Sequence, residues 1–210
     1  SLKQGAKVWV LAKLNRAPLE IVKGDIVEKF LMLSNGHDGS LAVRVGFTPI
    51  RVVCANTLAM SHGDSKSQLI RLSHTKNVKR NLDEVRNVVN AADAKFEATA
   101  EAFKRLAKCD ISQEDIKNFV NEVFVKESHD DERQKLREQR MTETITRLFE
   151  TGRGNDMAGV RGTAWALYNA ATEYLSYEQG RSQDGRLDSL WFGGSLATNK
   201  HALEAALALV

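Results

Sequence analysis

The sequence has few of the residues that build disulfide-bonded, zinc-binding or membrane-spanning proteins. It contains only two cysteines, Cys54 and Cys109, and two prolines among 210 residues, and 7% of its residues are aromatic. Two thiols give neither a disulfide framework nor a zinc site and suit a reducing compartment, so we expect a cytoplasmic location. The longest apolar stretches, such as residues 8–12, are too short to span a bilayer, and we expect no membrane partner. The 42% hydrophobic and 27% charged residues are typical of a helix-rich globular chain.

Motifs of nucleotide-dependent and hydrolytic enzymes are also missing. There is no Gly-rich phosphate loop, no Gly-x-Ser-x-Gly nucleophile turn and no His-Glu-x-x-His zinc helix. None of the five histidines lies four residues from another or beside a cysteine, so a metal site would need distant residues to meet. His37 and Asp38 could form an acid–base pair or bind a metal, but their turn sequence favours Asp38 bonding its own backbone. We therefore expect no enzyme activity, no cofactor and no metal.

The charges are unevenly distributed along the chain, although the net charge is only +3. Residues 1–80 hold 13 Lys and Arg against 5 Asp and Glu, whereas residues 81–210 hold 17 against 22. A basic first part suggests a polyanion or an acidic partner. Alternatively, the basic part docks on acidic helices of its own chain or of a neighbouring chain.

Residues 1–75 are predicted to form an antiparallel β-meander of three to five strands. Apolar residues occupy alternate positions of residues 41–47, as a half-buried strand requires. The Asn- and Gly-rich segment 34–40 predicts the preceding turn, and Pro49 marks a bulge or an edge. Asn56 or Thr57 is predicted to cap a short helical turn. The strand-like segments are residues 7–14, 26–33, 41–47, 50–54 and 68–73.

Residues 76–210 are predicted to be helical and to pack on the sheet. A seam of apolar residues recurs at alternating spacings of four and three and predicts one long heptad-patterned helix. Its partner is the sheet, another helix of this chain or a neighbouring subunit. The seam residues are Val78, Leu82, Val85, Val89, Ala92, Phe96, Thr99, Phe103 and Leu106.

Further helices are predicted after this seam. Ser112 and Asp115 resemble a capping box that opens the next helix. A solvated helix is expected over the charged run 127–140, and two more over residues 163–178 and from Thr198 onward, with Trp191 in a loop before the last. The whole is an α+β fold in one domain, which we expect to lack its native N-terminal segment.

Basic residues on the strands are the strongest candidates for function. By alternation, Lys7 and Lys13 share a face with Trp9, and Arg44 lies opposite the apolar side of its strand. We predict a basic outer face that binds a phosphate backbone, with Trp9 as a platform on which a base can stack. The alternative is an ordinary solvated sheet face. The predicted nucleic-acid-binding residues are Lys7, Lys13, Lys29, Arg44, Arg51, Arg71, Lys76, Lys79 and Arg80.

Four segments resemble the phage/plasmid-like protein family, a domain of unknown function (932). They are SNGHDGS at 34–40, FTPIRVVCANTL at 47–58, RLSHTKN at 71–77 and GTAWALYNAATEYL at 162–175. The resemblance covers nearly the whole chain in the same order. It implies a setting in phages, prophages and plasmids of a bacterial host, and it supplies no established activity and no catalytic residues.

A meander followed by a long helix is similar in outline to the single-strand-annealing recombinases of phages, the Rad52-like group. Members of that group form rings that hold a DNA strand in a basic groove. We therefore expect a homo-oligomer that binds single-stranded DNA, with Arg51 facing the nucleic acid. The alternatives are a protein-interaction module with an acidic protein partner and a phage assembly protein. A metal-dependent nuclease acting through His37, Asp38 or His74 is the least favoured alternative.

Overall fold

The structure is a computed structural model that describes residues 6–37, 43–54, 56–57, 69–72, 94–125 and 131–210. Strands occupy the N-terminal part of the chain and helices follow, so the predicted α+β class is confirmed. The first five residues of the predicted apolar seam, from Val78 to Ala92, lie outside the described residues.

The strands form one antiparallel sheet. Strand β3 lies between β1 and β4, β2 also pairs with β3, and both β5 and β6 pair with β4. Asn56 and Thr57 form a short strand opposite Arg51 and Ile50. The helical turn that one of them was predicted to cap lies outside the described residues. The described strands are β1 (Lys7–Lys13), β2 (Leu19–Glu20), β3 (Ile26–Gly36), β4 (Val43–Arg51), β5 (Asn56–Thr57) and β6 (Leu69–Leu72).

The two faces of the sheet are defined by the strand register, because directly opposed residues of antiparallel strands share a face. We call one the Trp9 face; its positions include Lys7, Trp9, Leu11, Lys13, Phe30, Met32, Ser34, Arg44 and Arg71. We call the other the Val27 face; its positions include Val27, Lys29, Leu31, Val45, Phe47 and Arg51.

Six described helices follow the sheet. They are α1 (94–106), α2 (Gln113–Phe124), α3 (Asp131–Thr151), α4 (Ala164–Glu173), α5 (Gln183–Phe192) and α6 (Gly194–Leu207). A π-helical turn, Tyr174–Glu178, continues α4. In the described ranges no helix combines the length and the apolar character needed to cross a membrane.

The core lies between the Val27 face and the helices. Phe96, Phe103 and Leu106 of α1 are fully buried, so the described part of the predicted seam is confirmed. The ring of Phe96 packs edge-to-face against the ring of Phe47 of β4, with 5.9 Å between the ring centres. The ring centre of Phe103 lies 4.7 Å from that of Trp165 on α4. The seam therefore packs on both the sheet and a helix of its own chain.

The predicted loop around Trp191 is wrong, since Trp191 lies in α5. The hydroxyl of Ser182 accepts a hydrogen bond from the backbone N–H of Gly185 and caps this helix. The last helix begins at Gly194 rather than at Thr198, whose hydroxyl instead donates to the carbonyl of Gly194 within the first turn. Glycine on both sides of the tryptophan suggested a loop, but a polar cap and packing on neighbouring elements outweigh that local preference.

The capping box of α2 is confirmed and gives a test in acid. The Ser112 hydroxyl accepts from the Asp115 backbone N–H, and the Asp115 carboxylate accepts from the Ser112 backbone N–H and hydroxyl. These hydrogen bonds lower the pKa of Asp115. The carboxylate therefore stabilises the fold above its unfolded pKa of about 3.9, and this contribution is lost as pH falls through the lower folded value.

Ser112→Ala is expected to destabilise the protein by about 1 kcal/mol near neutral pH, because one helix N-terminal donor loses its acceptor. The same change should raise the pKa of Asp115 toward its ordinary value. Urea unfolding and an NMR titration of the Asp115 carboxyl group measure the two effects. Ser112→Thr keeps the hydroxyl and is the control; an unchanged Asp115 titration in Ser112→Ala would contradict this account.

Candidate functional site

Arg51 ends strand β4 and is completely buried on the Val27 face. Its Nε and Nη2 donate to the two carboxylate oxygens of Asp25, each at 2.8 Å. Its Nη2 also donates to the carbonyl of Gly154 at 2.9 Å, and its Nη1 lies 3.3 Å from both the carbonyl of Arg153 and the side-chain oxygen of Asn155. The prediction that Arg51 faces a nucleic acid is therefore wrong, because protein oxygens surround the guanidinium.

Asp25 is held by a tight turn that leads into β3. Gly24 has φ +84°, a left-handed conformation that favours glycine, and the backbone N–H of Asp25 donates to the carbonyl of Val22. The Asp25 carboxylate also accepts from Nε1 of Trp165 at 2.7 Å. A buried carboxylate is stable only with such partners, and here a cation and an indole donor share it.

The loop after α3 supplies the carbonyl groups that Arg51 contacts. Gly154 has φ +74°, and a Cβ atom there would lie 2.5 Å from Cγ1 of Val53, so glycine permits the loop to approach the end of β4. Nδ2 of Asn155 donates to the carbonyls of Leu148 and Ala166, both at 3.0 Å. The hydrogen bonds of Arg51, Asp25 and Asn155 thus connect the sheet to α3 and α4, and their role is structural.

Two further predicted cations are also used internally. Lys29 is 5% exposed on the Val27 face; its Nζ donates to Glu97 of α1 at 3.0 Å. Lys7 is 8% exposed on the Trp9 face; its Nζ donates to Asp188 of α5 and lies 5.4 Å from the ring centre of Phe192. The prediction that Lys7 and Lys29 form an outer basic surface is wrong, because each is covered by a helix that neutralises its charge.

Lys13 remains accessible at the end of β1. Its side chain is 59% exposed and pairs with Glu28 across the strands. It lines a half-open groove of about 330 Å³ together with Arg16 and Pro18 of the β1–β2 connection. Of the predicted residues whose side chains are described, Lys13 is the one that an external anion can reach.

The register brings Arg44 and Arg71 together. Arg44 of β4 lies directly opposite Arg71 of β6 on one side and Ser34 of β3 on the other. Ser34 in turn lies directly opposite Trp9 of β1. One row across four strands therefore contains two arginine positions and a tryptophan. The predicted residues Lys76, Lys79 and Arg80 lie outside the described part of the chain.

Trp9 is half-buried rather than open. Its ring centre lies 6.2 Å from that of Trp191 on α5, with the two planes tilted by 32°. Sequence reasoning missed Trp191, Asp188 and Ser34 as parts of this corner. The sequence signal for Trp191 is the aromatic pair Trp191-Phe192 between Gly185 and Gly193, but flanking glycines are more typical of a loop than of a helix.

A second polar cluster lies beyond the end of β4, where the hydroxyl of Tyr177 donates to the carbonyl of Cys54 at 2.7 Å. Burial raises the pKa of the Cys54 thiol, although nearby Arg51 partly opposes this shift. Burial, and next the Cys54 thiolate charge, raises the pKa of Tyr177. Both groups are therefore protonated at neutral pH, and neither is an activated nucleophile. Across the described ranges no three His, Cys, Asp or Glu residues are grouped to hold a metal ion.

Comparison with known proteins identifies a family but no characterised relative. No curated protein matches this chain. No solved structure matches it either. One family model matches residues 1–191, which is most of the chain. The chain therefore belongs to the family described as a domain of unknown function, DUF932.

Proposed function

We propose that this chain is a non-catalytic protein of a phage or plasmid that binds single-stranded nucleic acid in the bacterial cytoplasm. The observation that carries the proposal is the register of the sheet, which gives Lys13, Arg44 and Arg71 positions on the Trp9 face. Cations on one face of a sheet suit a phosphate backbone, because they release its bound counterions together. The family resemblance of four sequence segments supports the phage or plasmid setting.

Lys13 supplies the accessible end of this face. Its partner Glu28 is more buried, with a side chain 24% exposed against 59% for Lys13. A surface ion pair of this kind contributes little to stability, so a phosphate can replace the carboxylate at small cost. The groove beside Lys13 continues this surface toward Arg16.

The more specific part of the proposal is that the protein forms a homo-oligomer and anneals complementary strands. Among the described strands, none pairs with the outer edge of β1. A seven-residue edge strand can pair with a second chain, and the exposed Lys13 at its end suits a polyanion held near that junction. Faster annealing of complementary oligonucleotides in the presence of the protein tests this part directly.

Fluorescence anisotropy of a labelled strand of about 30 nucleotides, titrated with protein and with salt, tests the binding function. We expect micromolar or tighter binding at low salt, with log affinity falling linearly with log salt. Lys13→Ala and Arg44→Ala should each lower the magnitude of that slope by about one, because each removes one phosphate contact. The measurement is the slope itself, since it counts ionic contacts independently of the total affinity.

Lys104→Ala is the matched control. Lys104 is an exposed lysine of α1 that also pairs with a carboxylate, Glu101. Its loss should leave the slope unchanged. An equal effect of all three variants would indicate nonspecific attraction to a basic protein. No binding at low salt would overturn the proposed function.

A protein-interaction module is the second candidate, favoured by an exposed apolar patch at the turn after β4. Val52 is 52% exposed, Val53 is 46% exposed and Tyr177 is 37% exposed. The guanidinium of Arg153 lies 4.6 Å from the ring centre of Tyr177. Tyrosine and arginine are common in the centres of protein interfaces, and the arginine suits an acidic partner. Absence of DNA binding together with a stable complex with an acidic protein would favour this candidate.

A further inference from the structure

Strand β1 has an uncharged, apolar middle at the outer edge of the sheet. Among the described strands, β3 pairs with one side of β1 and none pairs with the other. Residues 8–12 of β1 contain no charge and no proline. Soluble proteins protect an edge strand with charged residues or proline, because a bare edge otherwise binds further strands. The middle of β1 therefore has the composition of a strand that is paired on both sides.

The most exposed of the described large apolar side chains lies at the centre of this strand. Val10 is 60% exposed, and Leu33, directly opposite on β3, is 45% exposed. Both lie on the Val27 face, where the same cross-strand row continues to the buried Val45. The row is thus apolar up to the edge of the sheet, and its outer half is exposed. Adjoining exposed apolar side chains are typical of an interaction surface.

The backbone hydrogen bonds show which groups of β1 point away from β3. The N–H of Leu14 donates to the carbonyl of Lys29, and the carbonyl of Ala6 accepts from the N–H of His37. Both pairs continue the register of β1 and β3, so the even-numbered residues of β1 bond to β3. The odd-numbered residues between them therefore direct their N–H and C=O groups to the outer edge.

We propose that β1 pairs antiparallel with β1 of a second copy of this chain, with Val10 of each copy on the two-fold axis. Such a pair bonds through the outward-pointing residues, so odd positions must lie opposite odd positions. Of the registers that meet this condition, only the one centred on Val10 opposes all seven residues of the strand. The two-fold axis also limits the assembly to two copies, because both use the same surface. The inference deepens the proposed function and rests on the homo-oligomer of that proposal.

This register brings the exposed apolar side chains of the two copies together. The two Val10 residues form a non-hydrogen-bonded pair, in which the Cα atoms lie about 4.5 Å apart and the side chains are closest. Leu33 of each copy lies next to Val10 in the same row. Pairing therefore removes from water the apolar surface that a single copy exposes.

The charges at the strand ends are compatible with this pairing. Lys7 lies opposite Lys13 of the second copy, and like charges at opposed positions would destabilise the pair. Each lysine already has a carboxylate partner, since Lys7 pairs with Asp188 and Lys13 pairs with Glu28. Two lysines and two carboxylates therefore meet at each end, and their charges balance.

Sedimentation velocity in the absence of DNA tests the dimer. We expect the wild-type chain to sediment at twice the mass of one chain at micromolar concentration. Val10→Asp sets two carboxylates against each other and removes apolar contact, so it should raise the dimer dissociation constant by at least about tenfold. Val52→Asp is the matched control, because Val52 is 52% exposed and lies outside β1. It should leave the dimer unchanged.

Disulfide cross-linking tests the register. Val10→Cys should form an intermolecular disulfide under mild oxidation, because the opposed Cα atoms lie within the range that a disulfide spans. Ala12→Cys is the control, since Ala12 is also exposed on this strand but lies about 14 Å along the strands from its counterpart in the second copy. It should not cross-link. The wild-type chain, with Cys54 and Cys109, gives the background.

Leu11→Pro keeps the proposal testable in case Val10→Asp does not fold. The N–H of Leu11 points to the outer edge, so proline removes a hydrogen bond to the second copy and none to β3. Both copies lose this bond, and the dimer dissociation constant should again rise about tenfold. Circular dichroism should be unaltered.

The outcomes separate this inference from nucleic-acid binding. A wild-type chain that stays monomeric at high micromolar concentration overturns the strand pairing, whatever its affinity for DNA. A dimer that survives Val10→Asp and Leu11→Pro, or that Val52→Asp disrupts, also overturns it, because the interface then lies elsewhere. A dimer that Val10→Cys does not cross-link overturns the register. A dimer that Val10→Asp disrupts in a chain without DNA affinity supports the pairing and overturns the proposed binding of nucleic acid.

Discussion

Arg51→Ala is expected to lower the free energy of unfolding by about 3–5 kcal/mol, because it leaves the buried carboxylate of Asp25 without its cation. Both side chains of this pair are completely buried, so water does not compensate for the loss. The carbonyls of Arg153 and Gly154 lose their donors as well. Urea unfolding measures the effect as a lower midpoint with a similar slope.

A double variant distinguishes the cost of an unpaired charge from the value of the pair itself. Arg51→Met combined with Asp25→Leu removes both charges and keeps much of the volume, so it should recover part of the loss. The recovery is incomplete because the indole N–H of Trp165 and the carbonyl of Gly154 stay without partners. Arg51→Lys keeps the charge but loses the two-pronged contact, and it should fall between the wild type and Arg51→Ala. An Arg51→Ala protein of normal stability with weakened DNA binding would instead put Arg51 on the surface.

The strand residues that bury their charge were the least predictable part of this molecule. Alternation correctly assigned Lys7, Lys13 and Arg44 to one face of the sheet. It could not reveal which cations would be covered, because the carboxylates that pair with Lys7 and Lys29 lie 181 and 68 residues away. Contacts at such separations depend on how helices dock on the sheet, and no local pattern encodes that.

The fold was more predictable than the site because periodicity is a local property. The spacing of Phe96, Phe103 and Leu106 already identified the buried side of α1. The capping box at Ser112 could be identified from four residues. In contrast, no local pattern marks Asp25, whose carboxylate accepts a hydrogen bond from Nε1 of Trp165, 140 residues later.

Trp165→Phe is expected to lower the free energy of unfolding by about 1.5–3 kcal/mol. The substitution keeps a buried aromatic ring but removes the indole N–H that donates to Asp25 at 2.7 Å, and hydrogen bonds to charged groups contribute this much. Trp165→Ala should cost about 3–5 kcal/mol, because it also leaves a cavity beside Phe103. Urea unfolding of the two variants measures both values.

Trp191→Phe is the matched control for Trp165→Phe. Both tryptophans are buried, but Nε1 of Trp191 has no partner in the described part of the chain. Removing that N–H sacrifices no hydrogen bond, so the control should cost less than Trp165→Phe. Combining Trp165→Phe with Arg51→Ala should give a non-additive loss, since both substitutions act on the same carboxylate. Equal costs for the two Trp→Phe variants, or strict additivity with Arg51→Ala, would mean that Trp165 stabilises the fold by packing alone.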